Sequence, residues 1–313
     1  MKIGIFGIGG VGGVLGAALA KKYDDIYFIA RGKALEKIKR DGLEIRSEIL
    51  GDFTVRPASV TDTPSELGKL DVIFICCKGY DLEDACKKLS PSVSSDTIII
   101  PLQNGINVAE QIKPMLPECI LAGGTVTLLS HIESPGCIVN DDTTFRLIIG
   151  MEDSSQNDKL KKIASMINDS GLKTFISDNI AVDVWAKFLW MPGFSTLLFY
   201  YGGTSEKIVS APDFEDTINA VIKEVYSVAS ACNIKLPIDA GEKFKSKILS
   251  LPSGAMTSLY RDVINGNEKK RTELDHLLKN FITLGEDLNI PTPYFSKAYE
   301  NACLLLEENK RKQ

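Results

Sequence analysis

The most constraining feature of the chain is its first dozen residues. Residues 2–8 read as a short buried strand, Gly7-Ile8-Gly9-Gly10-Val11-Gly12 turns directly out of it, and residues 14–22 read as a helix. A GxGxxG spacing alone is weak, but between a buried strand and a helix it has a physical meaning. Gly7 permits a tight turn, Gly9 lets backbone N–H groups approach a pyrophosphate, and Gly12 lets the helix pack close to the strand. Ile8, Gly10 and Val11 supply the intervening backbone, and the positive end of the helix then faces the phosphates. The bare alternative is a tight strand–helix turn that holds no ligand.

The same alternation continues. Residues 26–30, 71–76, 97–100 and 120–122 are short apolar runs, and 33–41, 81–89 and 107–116 between them have helical spacing. Continuous rather than alternating apolar strands belong to a parallel sheet covered on both faces. Residues 43–49 and 53–60 read as a hairpin around Leu50-Gly51. From 124 to 149 the pattern alternates, with turns at Pro135-Gly136 and Asn140-Asp141-Asp142, which predicts an antiparallel extension of the sheet. A helix at 156–170 and a strand at 172–177 close a first domain, 1–178, and 179–313 is read as a second, almost wholly helical one. In that part, residues 215–231 place Ile218, Val221, Ile222, Val225, Tyr226 and Ala229 on one face, a packing face. Pro192-Gly193 predicts a kink or break early in its first helix, and the charged stretch 307–313 reads as a solvated end. The fold class is therefore an α/β N-terminal Rossmann-type domain plus an all-α C-terminal domain.

A length of 313 residues suits two such domains. A net charge of −5 argues against nucleic acid as a partner. No apolar run reaches the roughly 18 residues that span a bilayer, and the apolar N-terminus lacks the basic start of a signal peptide. A cytoplasmic protein without a membrane partner is expected. Seven cysteines, an odd number without CxxC spacing, read as reduced thiols. The two histidines, His131 and His276, lie far apart, so neither a metal site nor a Ser-His-Asp triad is expected.

The end of the second strand bears on the cofactor. NAD enzymes place an acid there for the ribose hydroxyls; this chain has Ile29-Ala30-Arg31-Gly32. An arginine at that point pairs with a 2′-phosphate and stacks on adenine, so NADP(H) is expected over NAD(H), the alternative being a plain surface charge. Lys78, after the next strand, offers charge to a cofactor or an anionic substrate, and Asn104, in Leu102-Gln103-Asn104-Gly105, offers a donor and an acceptor near the nicotinamide end. Either position also suits an ordinary turn residue.

Taken in order, these features resemble the ketopantoate (2-dehydropantoate) reductases. The resemblance runs from GIGGVG through Arg31, Lys78 and the 102–105 turn to Val184-Trp185-Ala186-Lys187-Phe188, Ser258-Leu259-Tyr260-Arg261-Asp262 and Arg271-Thr272-Glu273-Leu274-Asp275. It implies a two-domain architecture like that of 6-phosphogluconate dehydrogenase. It also implies NADPH-dependent reduction of a small 2-keto acid to a 2-hydroxy acid, most directly of ketopantoate to pantoate in pantothenate biosynthesis, by a monomer or homodimer. By the same resemblance Lys187 is the general acid, Glu273 holds the lysine or the substrate hydroxyl, and Ser258 contacts the substrate carboxylate. The chemistry asks for such a lysine, because hydride arriving at a carbonyl carbon leaves an alkoxide to be neutralised.

Departures from the family pattern concentrate on the substrate side. Met191 and Ser195 stand where the family carries asparagines that bind the substrate, Asp81 stands where a glutamine often follows the lysine, and Asn265-Gly266-Asn267 lengthens a loop. Two further readings therefore remain open: a reductase of a more apolar keto acid lined by Met191 and Phe194, and an NADPH-binding sensor without turnover.

Overall fold

The computed structural model describes residues 1–151, 157–267 and 273–312. It resolves the chain into two compact units: Met1–Gln103 with Asn107–Asp183, and Asn104–Ile106 with Val184–Gln313.

The first unit is built on strands β1 (Ile3–Phe6), β2 (Ile26–Ile29), β3 (Leu43–Ser47), β4 (Phe53–Val55), β5 (Ser59–Thr61), β6 (Val72–Ile75), β7 (Ile98–Pro101) and β8 (Ile120–Leu121). To these it adds β9 (Gly123–Leu128), β10 (His131–Ser134), β11 (Cys137–Asn140), β12 (Phe145–Gly150) and β13 (Thr174–Ile176). Its helices are α1 (Gly10–Ala20), α2 (Gly32–Asp41), α3 (Leu82–Leu89), α4 (Val108–Ile112) and α5 (Asn157–Asp169). The main sheet has the order β5-β2-β1-β6-β7-β8, all parallel. That is a doubly wound dinucleotide-binding topology, whose order reverses beside its first strand.

Side-chain alternation explains how one sheet supports two cores. Ile3, Ile5, Phe28, Val72, Phe74, Ile98 and Ile100 join α1 and α5 on one face. Ile29, Ile73, Ile75 and Ile99 join Leu82, Ala85, Cys86 and Leu89 of α3 and Val108 and Ile112 of α4 on the other. Each fully buried side chain of this size contributes roughly 1.5–3 kcal/mol by leaving water.

Three local expectations are corrected. The second arm of the hairpin splits: β4 pairs antiparallel with β3, whereas β5 joins β2 in the parallel sheet. Pro57 lies between them and cannot donate to a ladder, so the arm breaks there. The alternating region does not extend the main sheet. β9 and β12 pair antiparallel in a three-stranded sheet with β13, and the β10–β11 hairpin joins β3 and β4. β8 is two residues long and offers little edge to extend. Helix α4 stops at Ile112, short of the predicted 116: Lys113 still has helical backbone angles, but Pro114 has no N–H with which to continue the ladder.

The second unit holds helices α6 (Ile180–Tyr201, whose first turn belongs to the first unit), α7 (Ser205–Val209), α8 (Phe214–Ala231), α9 (Ala240–Leu249), α10 (Ser258–Ile264), α11 (Asn280–Asp287) and α12 (Pro293–Lys312). A five-residue π-helical segment, Asp275–Lys279, leads into α11. Trp185, Phe188, Phe281 and Phe295 form its aromatic centre, with Phe281 and Phe295 ring centroids 4.3 Å apart. Ile106, at 4% exposure, is buried in this core, which explains why the 104–106 tripeptide belongs to this unit.

Pro192 lies inside a continuous α6, so of the expected kink or break the break does not occur. The proline removes one N–H, but the flanking Leu189, Phe194, Leu197 and Leu198 are all buried and hold the helix in place. Gly193 permits the closest packing there, since a Cβ would stand 3.3 Å from the Phe244 ring. The charged C-terminal stretch is solvated as expected, with Glu307, Glu308, Lys310 and Arg311 exposed, although α12 carries it as helix to Lys312 and the Asn309 amide donates to the Val263 and Ile264 carbonyls at the end of α10. Among the described residues, no helix is long and apolar enough to cross a membrane. All seven cysteines are free thiols; burial pushes Cys77 up to about 12.

Candidate active site

In the first unit the phosphate loop follows from β1 and α1. Gly7 has φ +94°, a left-handed conformation that glycine adopts without strain. A Cβ on Gly12 would lie 2.1 Å from the Gly7 carbonyl oxygen and 3.0 Å from the Cys76 Cβ, so only glycine lets α1 start this close to the strand. Gly9 has nothing within 4 Å of where its Cβ would be, which leaves its backbone open to a ligand. Gly9 is also the N-cap of α1, without a side-chain cap, and the first turn holds no acid. The free N–H groups at that end are unopposed by negative charge and suit a pyrophosphate. Ile8 is buried, and Gly10 and Val11 are half-buried beside it. The loop therefore fits a dinucleotide.

Arg31 leaves β2 as the N-cap residue of α2 and is exposed. Its guanidinium donates to both carboxylate oxygens of Asp81, at 2.7 Å and 3.4 Å. Lys78 is exposed at the end of β6, where its carbonyl accepts from the Asp81 N–H as the chain turns into α3.

The second unit gathers Asn104, Lys187 and Glu273. Lys187 is half-buried on α6, and its Nζ donates to Asn104 Oδ1 at 2.8 Å. Burial pulls the amine down to about 8, and the Glu273 carboxylate partly offsets that pull. Glu273 is buried, with φ +58°, a strained conformation for a non-glycine residue. The adjoining Arg271 and Thr272 of its motif lie outside the described residues.

His276 completes this cluster, and sequence reasoning missed its place in it. Its imidazole bonds the Asn104 backbone, and Glu273 acts on its charge. Burial nevertheless holds its pKa below the ordinary histidine value. Its Nε2 is buried and has no hydrogen-bond partner among the described residues, and a Cβ on Gly105 would sit 3.0 Å from it. The signal available in the sequence was its position three residues after Glu273.

The remaining candidates are placed differently. Ser195 is buried; its hydroxyl bonds the Met191 carbonyl at 3.0 Å and the Thr257 hydroxyl at 2.8 Å. Thr257, rather than Ser258, caps α10 by accepting from the Tyr260 N–H. Ser258 is exposed at the first position of that helix, and Met191 is half-buried on α6. In the lengthened loop, the Asn267 amide donates to the Asp262 carboxylate. Among the described residues, no three His, Cys, Asp or Glu side chains gather as a metal site.

Comparison with known proteins covers nearly the whole chain. Residues 3–153 match the family model of ketopantoate reductase PanE/ApbA, and residues 179–303 match that of its C-terminal part. The uncharacterized oxidoreductase YkpB of Bacillus subtilis is 25% identical over 96% of this chain and 97% of its own. The 2-dehydropantoate 2-reductase of Pyrococcus horikoshii is 27% identical over 94% of this chain and 93% of its own. Among solved structures, the 2-dehydropantoate 2-reductase of Methylococcus capsulatus superposes with a TM-score of 0.87 at 26% identity, covering 99% of this chain and 98% of that one. A D-mandelate dehydrogenase solved with NADH and anilino(oxo)acetate shares the fold, with a TM-score of 0.86 at 20% identity and 99% coverage of both chains.

Proposed function

We propose that this chain, which belongs to the ketopantoate reductase family, reduces a small 2-keto acid to its 2-hydroxy acid with NADPH, ketopantoate being the first substrate to consider. The observation that carries the reading is the Lys187–Asn104 contact beside Glu273, with the lysine amine brought down to about 8. An ammonium of that acidity is still protonated at neutral pH, yet gives up its proton more readily than an exposed lysine.

NADPH, when bound, supplies the hydride for the keto carbon. Lys187 stabilises the negative charge that develops on the keto oxygen and delivers the proton to it. Asn104 Oδ1 holds the amine's direction through their hydrogen bond, and Glu273 offsets the cost of burying its charge. Ser258 is the proposed contact for the substrate carboxylate. The phosphate loop supplies N–H groups to the pyrophosphate, and Arg31 and Lys78 supply positive charge. This reading puts the enzyme in the cytoplasm.

A second reading, reduction of a more apolar keto acid, is favoured by α6. Met191 offers a thioether in place of an amide, and the Ser195 hydroxyl is already satisfied inside the helical core. A site without those polar groups loses the discrimination that a substrate hydroxyl would provide. Oxidation of NADPH by ketopantoate, compared with branched-chain 2-keto acids, tests both readings. Preference for ketopantoate supports the first and preference for the branched acids the second. Tight NADPH binding without turnover on any keto acid would overturn both.

A further inference from the structure

We infer that Asp81 sets how strongly this chain prefers a phosphorylated dinucleotide, by competing with the 2′-phosphate for the Arg31 guanidinium. The inference rests on the reading of Arg31 as the 2′-phosphate contact, and goes beyond it by assigning a role to its partner.

Arg31 and Asp81 form a two-pronged ion pair, at 2.7 Å and 3.4 Å. The topology gives that pair its significance. Arg31 follows β2 and Asp81 follows β6, and these are the two strands flanking β1 in the sheet. The ion pair therefore links the segments on either side of the strand that carries the phosphate loop. Asp81 opens α3 as its N-cap residue, a position where aspartate ordinarily accepts a bond from the helix amides. Here the side chain makes no cap bond, and its carboxylate engages Arg31 instead.

Exposure is divided unevenly between the partners. The Arg31 side chain is 68% exposed and that of Asp81 23%, so the guanidinium is the more accessible of the two to an incoming ligand. The surroundings otherwise favour an anion: α2 begins at Gly32 with Lys33 as its second residue and has no acid in its first turn.

Two ligands that differ only at the ribose 2′ position meet this arrangement differently. A 2′-phosphate carries a charge of about −1.5 to −2 and must either draw Arg31 away from Asp81 or bind with the carboxylate nearby. An exposed ion pair is weak enough to be displaced, but the displaced carboxylate still repels the phosphate. A 2′-hydroxyl, by contrast, finds in Asp81 the acceptor that dehydrogenases of NAD provide from the end of the second strand. Asp81 thus lowers the affinity for NADPH and keeps NADH usable, making it a specificity-determining residue of a site open to both cofactors.

The test is calorimetric titration of NADPH and NADH into the full chain, its Asp81→Asn and Arg31→Ala variants, and Asp81→Ser, which restores a capping hydroxyl should α3 need one. Both Asp81 variants are expected to tighten NADPH about tenfold and to leave NADH unchanged or a few-fold weaker. An unchanged NADPH affinity, or equal tightening of both cofactors, overturns the inference. Arg31→Ala separates the two levels: if it weakens NADPH while the Asp81 variants do nothing, the competition falls and the NADP(H) reading stands. If it leaves NADPH binding untouched, both fall together.

Discussion

The phosphate loop and the Lys187 cluster handle charge in opposite ways. The loop is a backbone site: Gly7, Gly9 and Gly12 contribute no side chain, and the attraction for an anion comes from peptide N–H groups at the start of α1. The Lys187 cluster is a side-chain site, assembled from Asn104, Lys187 and the Glu273–His276 pair, three segments that lie far apart in the chain. Lys187 and Lys247, whose pKa burial lowers, and Glu224, whose pKa burial raises, belong to the helical unit. In the sheet unit, Asp41 and Glu83 are lowered instead by exposed lysine and arginine partners. One unit holds fixed dipoles for a ligand's charge; the other buries its own charges to tune them.

Predictions follow that division. The largest effect is expected from Lys187→Ala, which should cut the rate of keto acid reduction by roughly 10²–10⁴ while leaving dinucleotide affinity unchanged in a binding titration. A parallel loss of cofactor affinity would break the contrast between the two sites. Gly12→Ala should act the other way round. Its methyl would meet the Gly7 carbonyl oxygen at 2.1 Å, where backbone cannot yield, and the overpacking should cost about 1–3 kcal/mol in a denaturant titration. It should also weaken dinucleotide binding, and the pH profile of whatever activity remains should be unaltered.

That profile is the third expectation. Reduction needs the protonated lysine, so kcat/KM should fall as pH rises through about 8, approaching tenfold per pH unit beyond it. Since the Glu273 charge raises the Lys187 pKa, Glu273→Gln should move the break to lower pH. A break that stays in place would detach Glu273 from the lysine. The smallest effect concerns stability alone. Burial raises Glu224 to about 7, even though its carboxylate accepts N–H bonds from Tyr294 and Phe295 at the start of α12. The folded protein holds this proton more tightly than the unfolded chain, so its stabilising contribution is full below about pH 4.5 and is lost as pH rises through about 7. Thermal midpoints measured from pH 5 to pH 8 should therefore decline less in Glu224→Gln; parallel curves would remove Glu224 as the cause.

How far each site can be read from sequence follows from the same contrast. The glycine spacing, the apolar strands and the parallel sheet were legible because each depends on residues adjacent along the chain. Local pairing was misread where a single proline decided it: Pro57 divides β4 from β5, and Pro114 ends α4 early. At Pro192 the sequence left a kink and a break open, and tertiary packing around α6 decides against the break despite the missing N–H. Lys187 and Glu273 could be singled out only through likeness to a family, because nothing in their local spacing marks a buried amine. His276 escaped notice because its partner, the Asn104 backbone, is remote in sequence. Ser195 could be placed at a family substrate position from sequence, whereas its hydrogen bond to Thr257, the cap of α10, is visible only in the structure.

The tripeptide Asn104–Ile106 has a consequence for how such a protein can be recombined. It belongs to the helical unit, with Ile106 in that unit's core, although it is encoded in the middle of the sheet unit. A chimera that joins residues 1–183 of one relative to residues 184–313 of another would inherit the lysine from one parent and the amide that orients it from the other. The natural unit of exchange is discontinuous, and a graft meant to transfer substrate choice intact must carry three residues from upstream along with the helices.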